Sequence, residues 1–387
     1  MFRRDRGPSW EEVQAHVPEV PHVPDGESRP FWSVMVPTYN CAHYLRKTLE
    51  SILCQDPGAD QMQIEVVDDC STRDDPAAVV AELGKGRVQF HRKPKNEGVT
   101  AVFNTCLQRS RGRWVHILHG DDMVLPGMYQ AYRKVIEATD PVMVLGRVIF
   151  IDEADSWLGM FGPEPIDGII KDFVLRQAFG QLGLFAGVVI RRSIYEKVGG
   201  YCPIFGHVAD WDMWLRVGQE GRVATLRQPY GLYRIHTASD SSRLMVTGKN
   251  VQESYSILRL NRERLGMRPE HVVAYRQALA DLAKSAEKSA WILDSKGSTE
   301  GRLNQACWAW KLAPNRQRFL LLIKSWLKHR LANTGKREQS HKVAAPTSQP
   351  CEVTNATLSH DMSAAGTSDR LNNPNSAEIP LVSRSIS

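Results

Sequence analysis

Ile64-Glu-Val-Val-Asp-Asp69 and Trp114-Val-His-Ile-Leu-His-Gly-Asp-Asp122 decide how this chain is read. Each is a short apolar run that ends in acids. Such runs, bounded by turn residues, predict buried strands. A carboxylate at the carboxyl end of a parallel strand points into the crevice where open α/β sheets bind ligands. Several gathered there suit a hard divalent cation and, through it, a phosphorylated substrate. A lone Asp-Asp is more often a cap or a turn. Repetition at successive strand ends, with Asp210 further on, favours a site.

The surrounding pattern agrees. Strands are expected at Ser33–Val36, Ile64–Asp68, Val88–His91, Trp114–Leu118 and Val142–Ile151. Amphipathic helices alternate with them at Tyr44–Cys54, Ala77–Leu83, Thr100–Arg109 and Met128–Ala138. Pro76 and Pro126 sit where helices begin. Such alternation predicts an α/β fold with a mostly parallel sheet flanked by helices. Beyond Ile151 the rhythm loosens over Asp152–Gln181. A strand at Leu184–Arg191 and helices at Ser193–Val198 and Trp211–Val217 follow, then a strand-like segment at Tyr230–Ile235.

With 387 residues the chain has ample length for a core. Apolar and charged fractions of 42% and 24% are those of a globular protein. No run reaches the roughly 18 apolar residues of a membrane span, and no apolar segment backs the N-terminal arginines as in a secretory signal. Seven cysteines without a CxxC pair argue against a metal cluster or a disulfide framework and predict a reducing cytoplasm. The net charge of +6 is uneven: nine lysines and arginines and no acid lie between Gly301 and Arg337. Without them acids outnumber bases, which argues against a nucleic-acid partner.

Six segments stand in one order: Val36-Pro-Thr-Tyr-Asn40, Val66-Val-Asp-Asp-Cys-Ser-Thr72, Asn96-Glu-Gly98 with Asn104, His119-Gly-Asp-Asp122, Ala209-Asp-Trp-Asp-Met-Trp214 and Tyr233-Arg-Ile-His236. Together, over roughly residues 31–240, they resemble the family 2 inverting glycosyltransferases. The resemblance implies the GT-A fold and a nucleotide-sugar donor. It implies that Pro37, Thr38, Tyr39 and Asp69 hold the base, that Asp121 binds the ribose, and that Asp122 ligates Mn2+ or Mg2+ with His236 near the metal. By the same match Asp210 is the general base. A carboxylate can accept the imide N–H of uracil or thymine, so UDP- or dTDP-linked donors suit Asp69. His119 stands where many members carry a further Asp. Asp68 is read as a turn acid, Asn96 and Asn104 as structural, and Asp212 as the rival to Asp210.

The chain divides into an extended arm at 1–30, a GT-A domain at 31–245, a helical extension at 246–335 and a disordered tail at 336–387. Arg316–Ala332 reads as a basic amphipathic helix, which suits either an anionic membrane surface or packing on the body. Family members often act on lipid-linked glycans, so the resemblance implies a glycan or lipid-linked acceptor at the inner face of the membrane. Processive synthases of the family carry Gln-x-x-Arg-Trp and membrane spans. Here Gln219-Glu-Gly-Arg-Val223 lacks the Trp, so a single sugar addition is expected. Two other readings stay open: a nucleotidyltransferase on a similar sheet, and a non-catalytic nucleotide-sugar-binding or scaffold protein at a membrane.

Overall fold

The computed structural model describes residues 7–343 apart from 25, 27, 28, 238 and 267, with side-chain surroundings as far as 334. Twelve strands are present among the described residues: β1 Trp32–Thr38, β2 Met62–Asp68, β3 Gln89–Arg92, β4 Trp114–Ile117, β5 Met123–Val124 and β6 Met143–Leu145, then β7 Val148–Ile151, β8 Trp157–Phe161, β9 Gly168–Ile169, β10 Val188–Arg191, β11 Val223–Thr225 and β12 Gly231–Arg234. Eight form the main sheet, in the order β3-β2-β1-β4-β10-β6-β11-β9. β1 runs parallel to β2 and β4, β2 to β3, and β6 to β11. β10 is antiparallel to β4 and β6, and β9 to β11. A smaller sheet, β5-β12-β7-β8, lies beyond it. This is the mixed α/β architecture that the resemblance implies, with helices continuing to the C-terminal side.

Successive strand side chains point to opposite faces, and here both faces are covered. Val34, Val36, Ile64 and Val66 pack with Leu45, Leu49, Tyr129 and Tyr132 of the helices Ala42–Leu53 and Met128–Thr139. Met35, Val67, Val115, Ile117 and Ile190 pack on the other side with Val102, Phe103, Met213 and Trp214. That second layer includes the helices Val99–Arg109 and Ala209–Gly218. Burial on both faces is why these strands read as continuous apolar runs.

The single strand expected over Val142–Ile151 is two strands in two sheets. Gly146 lies between them, at a close approach where a Cβ would lie 1.8 Å from the Tyr132 hydroxyl. The expected strand at Leu184–Arg191 opens instead with a short 3-10 turn, Phe185–Gly187. The loose segment after Ile151 pairs β8 with β7 and adds the helix Phe173–Phe179.

The expected extended arm is a packed strap. Helix Trp10–Ala15 carries a capping box between Ser9 and Glu12, and Val13 is fully buried in the core. The backbone of Pro18 accepts from Gly200 N–H at 2.7 Å, and that of Pro21 from Arg192 at 2.9 Å. The boundary expected at 245 falls inside the helix Asp240–Thr247. Beyond it, Pro269–Ser295 and Thr299–Leu312 approach closely through Ala286, Ala290, Ala306 and Ala309. Buried Arg302 ties Asp294 (2.5 Å) to Ser325 on the last helix (3.0 Å). That helix runs Arg316–Val343, past the tail boundary expected at 336; the rest of the expected tail, 344–387, lies outside the described residues. No helix among the described residues is long and apolar enough to cross a membrane.

Candidate active site

The carboxyl ends of β1, β2 and β4 meet at one mouth. Gly120 N–H donates to Pro37 O at 2.9 Å, and a side chain at Gly120 would press within about 3 Å of Thr38. The close approach brings the acidic loop against the end of β1. Thr48 Oγ1 lies 3.0 Å from Gly120 O and 2.7 Å from Asp122 O, bracing the loop from below.

Asp122 is buried, and its Oδ1 accepts the Arg234 backbone N–H at 2.9 Å. Asp121 is at the mouth, 26% exposed, with His236 Nε2 2.9 Å from its Oδ2. His236 therefore stands against Asp121. The trio whose ligand atoms lie within 4.8 Å of one another is His119, Asp121 and Asp122. His119 Nε2 and Asp122 Oδ2 are buried without a hydrogen-bond partner. Orphaned buried donors and acceptors are costly, and a nitrogen with two carboxylates matches a divalent metal. The residues fit such an ion, and this histidine in place of an acid belongs to the fit.

Burial works against ionisation of Asp121, yet the His236 bond and the nearby His119 outweigh it, so its pKa falls. Asp122 goes the other way: burial and the charge on Asp121 hold it well above the usual carboxylate range. Burial also lowers the His119 pKa, which keeps the imidazole neutral, the form that binds metals.

Arg234, invisible as a site residue in the sequence, organises this end. Its buried guanidinium donates to Asp121 O at 3.0 Å and Asp152 O at 2.8 Å, and pairs with Asp155 at 2.5 Å. It also lies 4.7 Å over the Tyr44 ring. Asn40 is a second missed residue. It takes a left-handed φ of 51°, donates its N–H to Ser71 Oγ, and accepts Thr72 and Arg73 N–H on its side chain. The β1 and β2 loops are thereby locked together.

In that frame Tyr39 is 45% exposed beside the cleft, while Pro37 and Thr38 belong to β1. Asp69 is buried, accepts Glu97 N–H at 3.1 Å and Gly98 N–H at 2.9 Å, and forms an ion pair with Lys93 Nζ at 3.1 Å. It shapes the loop that starts the Val99–Arg109 helix. Asp68 accepts from Ser71 and, at 2.6 Å, from Arg92, as a turn acid should. Asn104 clamps the Tyr201 backbone through both ends of its amide.

Asp210 opens the helix Ala209–Gly218. Oδ1 accepts Trp211 N–H at 2.7 Å and Oδ2 accepts Gln181 Nε2 at 2.8 Å. Burial raises its pKa to about 7. Asp212, by contrast, is fully buried and bound to Arg216 at 2.8 Å, with Arg264 3.6 Å away. It is a structural acid.

Aromatic rings connect the two ends. Phe185 lies 4.6 Å from the His119 ring and 5.2 Å from Trp214 on the Asp210 helix. Tyr233 senses both ends: burial first, then Asp122, and further Asp121 and Asp210, raise its phenol. One cleft thus holds an acidic cluster, in which Asp121 has a lowered pKa and Asp122 a raised one, and a separate carboxyl, Asp210, raised by burial.

Residues 33–199 match the model of glycosyl transferase family 2. That segment is similar to a family 2 glycosyltransferase domain. An uncharacterized protein of Mycobacterium tuberculosis is 28% identical over 245 residues, covering 60% of this chain and 75% of that one. The succinoglycan biosynthesis protein ExoO of Rhizobium meliloti is 32% identical over 138 residues, 36% of this chain and 35% of its own length. The crystal structure of S. aureus TarS 1-349 in complex with UDP-GlcNAc aligns with a TM-score of 0.46 at 15% identity, covering 71% of this chain and 90% of that one.

Proposed function

We propose that this chain transfers one sugar, with inversion, from a UDP- or dTDP-linked donor to an acceptor hydroxyl in glycan synthesis. The observation that carries the reading is Asp210, poised across the Phe185 bridge from the acidic cluster with its proton affinity near neutrality. Environments that push two acids' pKa values apart mark the acid–base assignments of a site.

In this reading Asp210 takes the proton of the acceptor hydroxyl as that oxygen attacks the anomeric carbon, and the bond to the diphosphate oxygen breaks on the far side. Gln181 and the Trp211 N–H hold the carboxylate in place. Tyr39, Pro37, Thr38 and Asp69 form the wall for the base, and Asp121 faces the ribose. His119, Asp121 and Asp122 would hold the divalent ion, with His236 orienting Asp121. The bound ion would offset charge developing on the departing nucleoside diphosphate. A glycan acceptor fits the name of the ExoO relative, a succinoglycan biosynthesis protein; a lipid-linked acceptor and a peripheral position on the inner face of a membrane belong to the same proposal.

The test is a thermal-shift series with UDP, dTDP, GDP and ADP, each with Mn2+, Mg2+ or chelator. Stabilisation by UDP or dTDP that needs the metal is expected. Stabilisation unaffected by chelation removes the metal assignment, and equal response to ADP removes the uracil or thymine reading of Asp69.

A further inference from the structure

We infer that the outer face of the last helix, together with Trp291 on the helix before it but one, docks on an anionic lipid surface. Helix Arg316–Val343 is apolar on two opposite sides. One side packs inward: Leu321 and Ser325 are buried, and Leu322 joins Ala290 and Ala306. The other side carries Phe319, Leu320, Ile323, Trp326, Leu327 and Leu331, all exposed, with Trp326 at 46% and Leu331 at 71%. A helix apolar all round is ordinarily buried, yet on that side the ring contact found among the described residues is at its edge, Phe319 against Trp310 at 5.2 Å, and Phe319 stays exposed.

The patch is wider than one helix. Trp291 of Pro269–Ser295 is 52% exposed and lines a groove with Leu320, Leu321, Arg316 and Lys324. Both tryptophans have a guanidinium over the ring, Arg302 at 5.3 Å from Trp291 and Arg330 at 5.2 Å from Trp326. Indole rings of this kind settle at the level of lipid headgroups.

Charge selects the occupant. Arg316, Lys324 and Arg330 are exposed on this face, and no ion pair to them is found among the described residues. The acids closest to it are already matched: Glu287 with Arg318, and Asp294 with Arg302 and Lys328. An apolar stripe with aromatic anchors and an unmatched basic rim is the make-up of a helix lying in an anionic interface. A second protein copy would bring the same positive rim against itself.

Flotation of the full chain with phosphatidylcholine vesicles, and with an equimolar phosphatidylcholine–phosphatidylglycerol mixture, tests the inference. Binding to the mixed vesicles at low salt is expected, falling steeply at high salt as screening shortens the attraction. Lys324→Glu with Arg330→Glu should weaken partition by at least about 25-fold, each lost cation removing roughly five-fold. Trp326→Glu with Leu327→Glu should abolish it. All four positions are exposed, so circular dichroism and transfer to a soluble acceptor should stay unchanged. Failure to float at low salt, or flotation indifferent to lipid charge or to these substitutions, overturns the inference. So does a dimer in sedimentation that Trp326→Glu with Leu327→Glu makes monomeric. Flotation needs no turnover, so a failed transfer assay on the unaltered chain bears on the site and not on this face.

Discussion

The two ends of the cleft are built on different principles. The acidic end is held by many bonds from several elements: Thr48 from below, Arg234 from the side, Asn40 and Ser71 between the loops. The Asp210 end rests on one side-chain amide and one neighbouring backbone N–H. A dense scaffold suits groups that must face developing charge without reorganising. A sparse one leaves the proton affinity of Asp210 to burial, which suits the role of base proposed for it near neutral pH.

The largest effect should come from breaking the sparse end. Asp210→Asn should reduce turnover about 10²–10⁴-fold while leaving UDP affinity nearly unchanged. The same variant should be more stable than the parent at pH 8. Burial raises the Asp210 pKa from 3.8 to about 7, so the unfolded chain loses this proton first. Stability from this group is therefore present at low pH and lost as pH rises from about 4 to 7. Asparagine escapes that loss, and a melting point higher by roughly 2–4 °C is expected. Equal loss of UDP binding would move Asp210 to the donor side.

Next comes the dense end. Asp122→Asn keeps an acceptor for the Arg234 N–H but weakens the donor set, and should reduce turnover about 10²-fold with the fold intact. Excess Mn2+ should recover part of it. Unchanged kinetics and unchanged metal dependence would remove Asp122 from the site.

A smaller change sharpens the comparison. The kcat/KM profile should rise with pH through about 7, where Asp210 loses its proton. The Gln181 bond pulls that pKa down, so Gln181→Leu should move the rising limb upward and lower the rate a few-fold at pH 7. A limb that stays in place would assign it to another group. The mildest expectation is His236→Gln, which retains a donor to Asp121 and should cost only a few-fold in metal affinity, less than the roughly 10–100-fold that follows outright loss of a partner that orients a ligand.

What could be read from residues alone followed from how locally each feature is determined. Strand and helix identity at Ile64–Asp68, Trp114–Leu118 and Met128–Thr139 rests on short-range patterning. The acids at strand ends stand out because the sheet is parallel there. Arg234 and Thr48 did not stand out, because their roles depend on contacts 113 and 74 residues away in sequence. The strand over Val142–Ile151 was read as one because apolar runs carry no mark of a change of sheet; Gly146 was the available signal. The N-terminal arm looked extended because its prolines dominate. Ser9 and Glu12, three residues apart, were the helix-start signature within it.

That arm changes where the working unit begins. The family match starts at residue 33, and an expression boundary drawn there would delete Val13 from beside Cys202 and Trp214. It would also remove Trp10 from under Arg264, the residue that faces Asp212 on the Asp210 helix. A minimal recombinant fragment should therefore begin ahead of Ser9. One trimmed to the family domain should melt early and release UDP from a floor that has lost its backing.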